Sequence, residues 1–360
     1  MLCSLPDELL VVIVEYCDQK ARRNLSLVSR RLRNPSQHTI FKTVYIPGQI
    51  FDPSSTLVIV GGEPLPAILQ NDRLLSYIQT IVIAQGMIFQ HLGVNSMELL
   101  FTALHQMQQL RDINIEEIPF TTTMLDRLCE VLSTRLYNVK LWSCSYPAEY
   151  TIQQAALKIQ RLQLELSGHE WINGPPPTTK VAIEIIQRSL SSIAILTLSR
   201  ALGVLAYLGT MPRLISLNIM LTSDSNDEGL SSFLVANPQL VEFRLEGSFY
   251  DLSLLPPSAL PNLTTILVNN AEMIRHLVPG RPVVKVKILG NSKCEIMMDE
   301  LHALSRSAAP IVELTLPFHH YFTHLSDVLG VVVKVVPRLE RMSLSFRAEV
   351  RRIPILSCTF

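Results

Sequence analysis

One short apolar pattern organises most of the chain. An apolar residue is followed by two variable ones, an apolar, one variable and an apolar. The pattern starts at Ile78, Leu110, Leu136, Ile159, Ile193, Leu214, Leu240, Leu263, Val283, Ile311 and Leu339. Its mean interval is about 26 residues, inside the range of roughly 20–29 at which a strand-plus-helix unit recurs in repeat proteins. Side chains alternate across a strand, so the last two apolar residues of each unit share one face, and the residues flanking them share the other. Four units have a Pro-x-Leu lead-in, at Pro212, Pro238, Pro261 and Pro337. Between the strands lie helical stretches, namely 99–107, 124–132, 181–190 and 325–335. Strand and helix in alternation predict an α/β solenoid with a curved parallel sheet, since each unit buries its apolar face only against its neighbours.

The first forty residues follow a different pattern. Ser4 is placed to cap a helix, Pro6 is tolerated in its first turn, and Asp7 and Glu8 suit its positive end. Leu9, Leu10 and Ile13 continue it, with Val11, Val12 and Val14 filling the remaining sides. A second helix is expected over 21–33, with Leu25, Val28 and Leu32 on one side and Pro35 closing it. So small a segment cannot cover this much apolar surface, so other surfaces must pack on it. The stretch 47–66 is rich in Gly, Pro and Ser and reads as a loop with one short strand near Leu57–Val60. The expected organisation is a helical module at 1–45, a linker and lead-in at 46–77, a repeat domain at 78–349, and a tail at 350–360 that caps the last repeat.

The amino-terminal segment resembles the F-box family. The resemblance rests on Leu5-Pro6-Asp7-Glu8-Leu9-Leu10, on Ile13, Tyr16 and Asp18, and on Leu25-Ser26-Leu27-Val28-Ser29-Arg30-Arg31-Leu32-Arg33. Ile40 to Val44 is similar to the segment that follows the motif in fungal members. Four positions depart from the family pattern: Cys17 and Leu32 replace a usual Leu and Trp, and Ala21-Arg22 replaces an Asp-Leu pair. Arg22 would place a charge at an apolar contact, where it must find a partner or bend back to water. The resemblance implies docking on a Skp-type adaptor, and through it on a cullin scaffold, by Leu5, Pro6, Leu9, Leu10, Ile13, Leu25 and Val28. The rest of the chain looks like the degenerate leucine-rich-repeat-like array that fungal F-box proteins often carry. The Asn or Cys expected eight residues into a repeat occurs only at Cys144 and Asn291. The implied function is the substrate-recognition subunit of an SCF-type ubiquitin ligase. The alternative is a repeat scaffold for protein interactions that no longer engages the adaptor.

Composition narrows the partners. The chain has 31 basic and 31 acidic residues, so it lacks the positive excess on which nucleic-acid or anionic-lipid coating depends. The basic residues Lys20, Arg22, Arg23, Arg30, Arg31 and Arg33 interleave with apolar ones and read as a solvated helix face. Hydrophobic residues make up 48% of the chain and mean hydropathy is +0.27, which implies a large core and further surface covered by a partner. The most apolar window, Leu190 to Met211, has Arg200 at its centre and reads as a buried strand followed by a helix. Acidic residues among the first twenty argue against a secretory signal, and cytoplasm or nucleus is expected. The six cysteines show no metal-ligand spacing and read as reduced thiols.

No phosphate-binding loop, nucleophile elbow or zinc-protease motif occurs in the sequence. The cluster His319-His320-Tyr321-Phe322-Thr323-His324 reads as a surface loop, and Glu116-Glu117 point to opposite sides of their strand. Neither catalytic residues nor a cofactor or metal are expected. What the repeats do supply is a polar strand face. It contains Asp112, Asn114 and Glu116; Asn138, Lys140 and Trp142; Arg161, Gln163 and Glu165; Glu242, Arg244 and Glu246; and Lys285 and Lys287. Its mixed charge suits an as yet unknown protein substrate, with Asn114, Lys140, Trp142, Arg244 and Lys285 the candidate contacts.

Overall fold

The computed structural model describes residues 5–46, 57–58, 68–84, 97–165, 177–200, 202–220, 228–247, 252–289, 298–318, 325–346 and 357–359. Three helices open the chain: α1 (Asp7–Tyr16), α2 (Gln19–Val28) and α3 (Arg30–Phe41). The expected second helix is in fact two. Ser29 leaves helical geometry at φ −143° and caps α3 by accepting from the Arg31 N–H. Asp18 caps α2 in the same way through the Ala21 N–H at 2.7 Å. Pro35 does not close a helix; it lies inside α3, where it is buried with Leu32, Ser36, Thr39 and Ile40. Pro6 occupies the cap position of α1, and Ser4 lies outside the described residues.

The chain divides into two compact units, Met1–Ser192 and Ile193–Phe360. In the first, α3 leads straight into β1 (Thr43–Ile46), which pairs in parallel with β2 (Leu57–Val58) and with β3 (Thr80–Ala84). The short strand expected near Leu57–Val60 is β2, whereas β1 falls at the end of the segment expected to be helical. The order continues through β4 (Asp112–Glu116), β5 (Tyr137–Trp142) and β6 (Ile159–Glu165), all parallel. The inward pairs of the repeat pattern, such as Ile81 and Ile83 or Ile113 and Ile115, are buried to 1% exposure or less. Behind the sheet stand helical residues 97–103, α4 (Thr122–Thr134), capped by Thr121, and α5 (Pro177–Ser189). Cys144 is buried one turn beyond β5, and its thiol reaches the carbonyl oxygens of Ile115 and Trp142, both at 3.5 Å. That is the strand-linking role a repeat asks of its small polar residue; Asn291 lies outside the described residues.

The second unit repeats the scheme with β7 (Ile195–Ser199), β8 (Ser216–Met220), β9 (Glu242–Glu246), β10 (Thr265–Val268), β11 (Lys285–Ile288), β12 (Glu313–Phe318) and β13 (Arg341–Phe346), all parallel and in sequence order. The apolar window around Arg200 is thus β7 followed by a 3-10 turn at Leu202–Tyr207, with Arg200 itself exposed at φ 57°. Among the described residues no helix is long and apolar enough to cross a membrane. α6 (Glu228–Ala236), α7 (Met298–Leu304) and α8 (Leu325–Val335) lie between strands. α6 meets the 3-10 turn closely: a Cβ on Gly229 would come within 2.7 Å of the Ala206 backbone nitrogen.

Two buried polar side chains stitch the turns of this unit. The Asn237 carboxamide accepts from Met211 N–H at 2.7 Å and donates to Phe233 C=O at 2.8 Å. The Arg281 guanidinium, 1% exposed, donates to the carbonyl oxygens of Ala259, His276 and Pro256 at 2.6–2.9 Å. Burial lowers its pKa, and those carbonyls replace the water it has lost. At the end of the chain, β14 (Ser357–Thr359) pairs antiparallel along β13, with Cys358 opposite Met342. The sequence between these strands that was expected to form a cap, 350–356, lies outside the described residues.

Candidate functional site

The helical module has an inside and an outside. Leu10 and Val14 are fully buried, one turn apart on the inner face of α1. Leu9, Val12 and Tyr16 recur at i, i+3 and i+7 on another face and are 49%, 46% and 90% exposed. Leu27 and Val28, at the end of α2, are 78% and 79% exposed. Five large apolar side chains on two adjoining helices are far from scattered surface chance, and burying each is worth about 1.5–3 kcal/mol.

Arginines fix the helices that carry these residues. Arg22 donates to the carbonyls of Val14 and Glu15 in the last turn of α1; the Val14 oxygen also accepts from the Cys17 N–H. The charge that departs from the family pattern is satisfied within the module. Arg31 pairs with Asp7 at 3.0 Å and donates to the Leu5 carbonyl at 2.6 Å, holding the start of α3 against the start of α1. On the opposite side α3 seats the module on its own unit: the His38 ring meets Tyr77 edge-on at 5.5 Å, and Arg73 donates to the Asn34 carboxamide oxygen.

Of the seven positions expected to dock an adaptor, Pro6, Leu9 and Val28 are exposed, and Leu5, Ile13 and Leu25 are half-buried. Leu10 lies wholly in the core, so any part it plays is in holding α1 in place. Val12, Tyr16 and Leu27, which were not among the expected positions, belong to the exposed set. For Val12 and Tyr16, the i+3 and i+7 relation to Leu9 was the available signal, obscured because Val11, Ile13 and Val14 make α1 apolar on every side.

Residues 2–34 match the F-box domain family model. The chain therefore carries an F-box at its amino-terminal end, and an F-box implies a Skp-type adaptor as partner. No curated protein matches the chain. A solved structure, that of the Rad7 and Elc1 complex in yeast, is similar at 12% identity and a TM-score of 0.41, covering 97% of this chain and 91% of that one.

The second candidate surface is the polar strand face, described separately for each unit. In the first unit Asp112 accepts from Asn138 at 2.7 Å and from Thr80 at 3.3 Å, across three adjacent strands. Lys140 bonds Glu116 at 2.6 Å and stands 4.9 Å over the Trp142 ring. Asn114, Lys140 and Trp142 thus gather on β4 and β5, half-buried, with the Lys140 charge already matched. Glu165 pairs with Trp142 on this face, as expected, but is buried there. In the second unit Arg244 is paired with Glu246 on its own strand. Lys285 lies two strands further on and faces Glu313 of β12 at 3.5 Å. Lys287 and Arg341 face the same carboxylate at 3.7 and 3.1 Å.

Burial raises the Cys129 thiol from 9.0 to about 12 and that of Cys144 to about 11, which keeps both neutral. Among the described residues no three His, Cys, Asp or Glu side chains gather as a metal site, and His319 to His324 lie outside them.

Proposed function

We propose that this chain is the substrate-recognition subunit of an SCF-type ubiquitin ligase. Its F-box docks the Skp-type adaptor, the adaptor links it to a cullin scaffold, and the polar strand faces hold a protein target in the cytoplasm or nucleus. The chain adds no catalytic group. Its contribution is to raise the local concentration of the target near the ubiquitin-transfer machinery. The observation that carries this reading is the exposed apolar set Leu9, Val12, Tyr16, Leu27 and Val28 on the segment matching the F-box.

Affinity purification of the tagged full chain from its native host, followed by mass spectrometry, tests it. The adaptor and a cullin are expected in stoichiometric recovery with the bait, with targets enriched when the proteasome is inhibited. Recovery of stable binding proteins without adaptor or cullin would favour the repeat scaffold instead.

A further inference from the structure

Charges on the polar strand faces are not evenly matched. Lys140 is matched by Glu116 and Arg244 by Glu246, one cation to one carboxylate. Across β11, β12 and β13, among the described residues, three cations share a single acid. Glu313 is only 17% exposed, while Arg341, Lys285 and Lys287 around it are 57%, 44% and 40% exposed. The described side chains of the cluster therefore hold two positive charges in excess. The two ammonium groups stand 3.5 and 3.7 Å from Glu313, beyond ordinary hydrogen-bond length, so each keeps its donors for another acceptor.

We propose that this cluster anchors an acidic, extended peptide segment of the target, its carboxylates seated on Lys285, Lys287 and Arg341; the inference rests on the target-recognition role proposed above. Geometry favours several carboxylates over one oxyanion. Lys285 and Lys287 are alternate residues of one strand, about 7 Å apart, and Arg341 lies two strands away, about 10 Å across the sheet. The point on which the three head groups converge is already taken by the Glu313 carboxylate, whereas alternate side chains of an extended peptide repeat at the spacing of about 7 Å that separates the two lysines along their strand. Glu313 then acts as an internal competitor: it holds the three cations together when the face is empty and weakens their grip when it is filled.

The test uses the full chain and a fluorescein-labelled Glu-Ser-Glu-Ser-Glu-Ser-Glu peptide, read by anisotropy at low salt. A Gln-for-Glu peptide and a Gln-background peptide carrying one phosphoserine serve for comparison. The Glu peptide binds best, and joint substitution Lys285→Gln, Lys287→Gln and Arg341→Gln weakens it at least about tenfold, as expected from three partly exposed charge contacts. Glu313→Gln tightens it by about threefold, a gain that a damaged fold does not produce. Failure of the Glu peptide to bind, indifference to the triple change, loosening by Glu313→Gln, or preference for the phosphoserine peptide would each overturn the inference. Adaptor recovery is scored on the same samples. Adaptor bound without peptide rejects the anchor alone, and peptide bound without adaptor rejects the ligase reading alone.

Discussion

The guanidinium Nε of Arg22 donates to the carbonyl oxygen of Val14 at 3.0 Å, closing the end of α1 from the first turn of α2. An arginine that sequence comparison marks as misplaced is the side chain that joins the two helices. Arg22→Met removes the two side-chain bonds to the Val14 and Glu15 carbonyls, at a cost of about 0.5–1.5 kcal/mol each. Hydrogen exchange should then quicken across 7–28 while the amides of β4 and β5 stay as protected as before. Uniform loss of protection over both regions would mean that the module and the sheet of this unit unfold together.

Arg281 supplies a sharper stability test. Its fork reaches the Pro256 and Ala259 carbonyls of one turn and the His276 carbonyl of another, and a lysine cannot span them. Both Arg281→Lys and Arg281→Met are expected to lower stability by about 3 kcal/mol, with little rescue by the retained charge. Chemical denaturation followed by circular dichroism checks this, and a lysine variant as stable as the parent would contradict it.

Much of this architecture is legible in the sequence, and the exceptions have physical causes. Ile81 and Ile83, or Ile113 and Ile115, could be assigned to the inner face because alternation leaves no second choice in a half-buried strand. β1 was hidden because Thr43–Ile46 has no repeat partner at the usual spacing, its neighbour in space being β3. The break at Ser29 was hidden because Leu25, Val28 and Leu32 keep helical spacing across it. The single-acid cluster was partly visible, since Glu313 and Arg341 occupy the same repeat position as Lys285. Which carboxylate three cations share is decided by strand pairing, and that only the structure supplies.

The buried thiols give the unfolding a definite pH dependence. Cys129 and Cys144 have folded values of about 12 and about 11 against 9.0 when exposed, both raised chiefly by burial. The folded protein therefore keeps protons that the unfolded chain releases, and stability falls as pH rises. Their contribution is complete below 9 and disappears as pH climbs through 11 and 12. Melting temperatures measured from pH 8 to 11 should fall less steeply for Cys129→Ala with Cys144→Ala than for the parent; equal slopes would show that other groups set the alkaline limb.

Adaptor docking by the F-box is the central claim, and Leu27 and Val28 give the most direct access to it because they are exposed and support no core. The measurement is co-purification of the Skp-type adaptor with the parent chain and with the double variant Leu27→Asp, Val28→Asp, using circular dichroism to verify folding. Two carboxylates buried in an apolar interface are expected to weaken adaptor binding at least about a hundredfold, leaving the pull-down empty while the spectrum is unchanged. Undiminished adaptor recovery by the folded double variant would contradict the account.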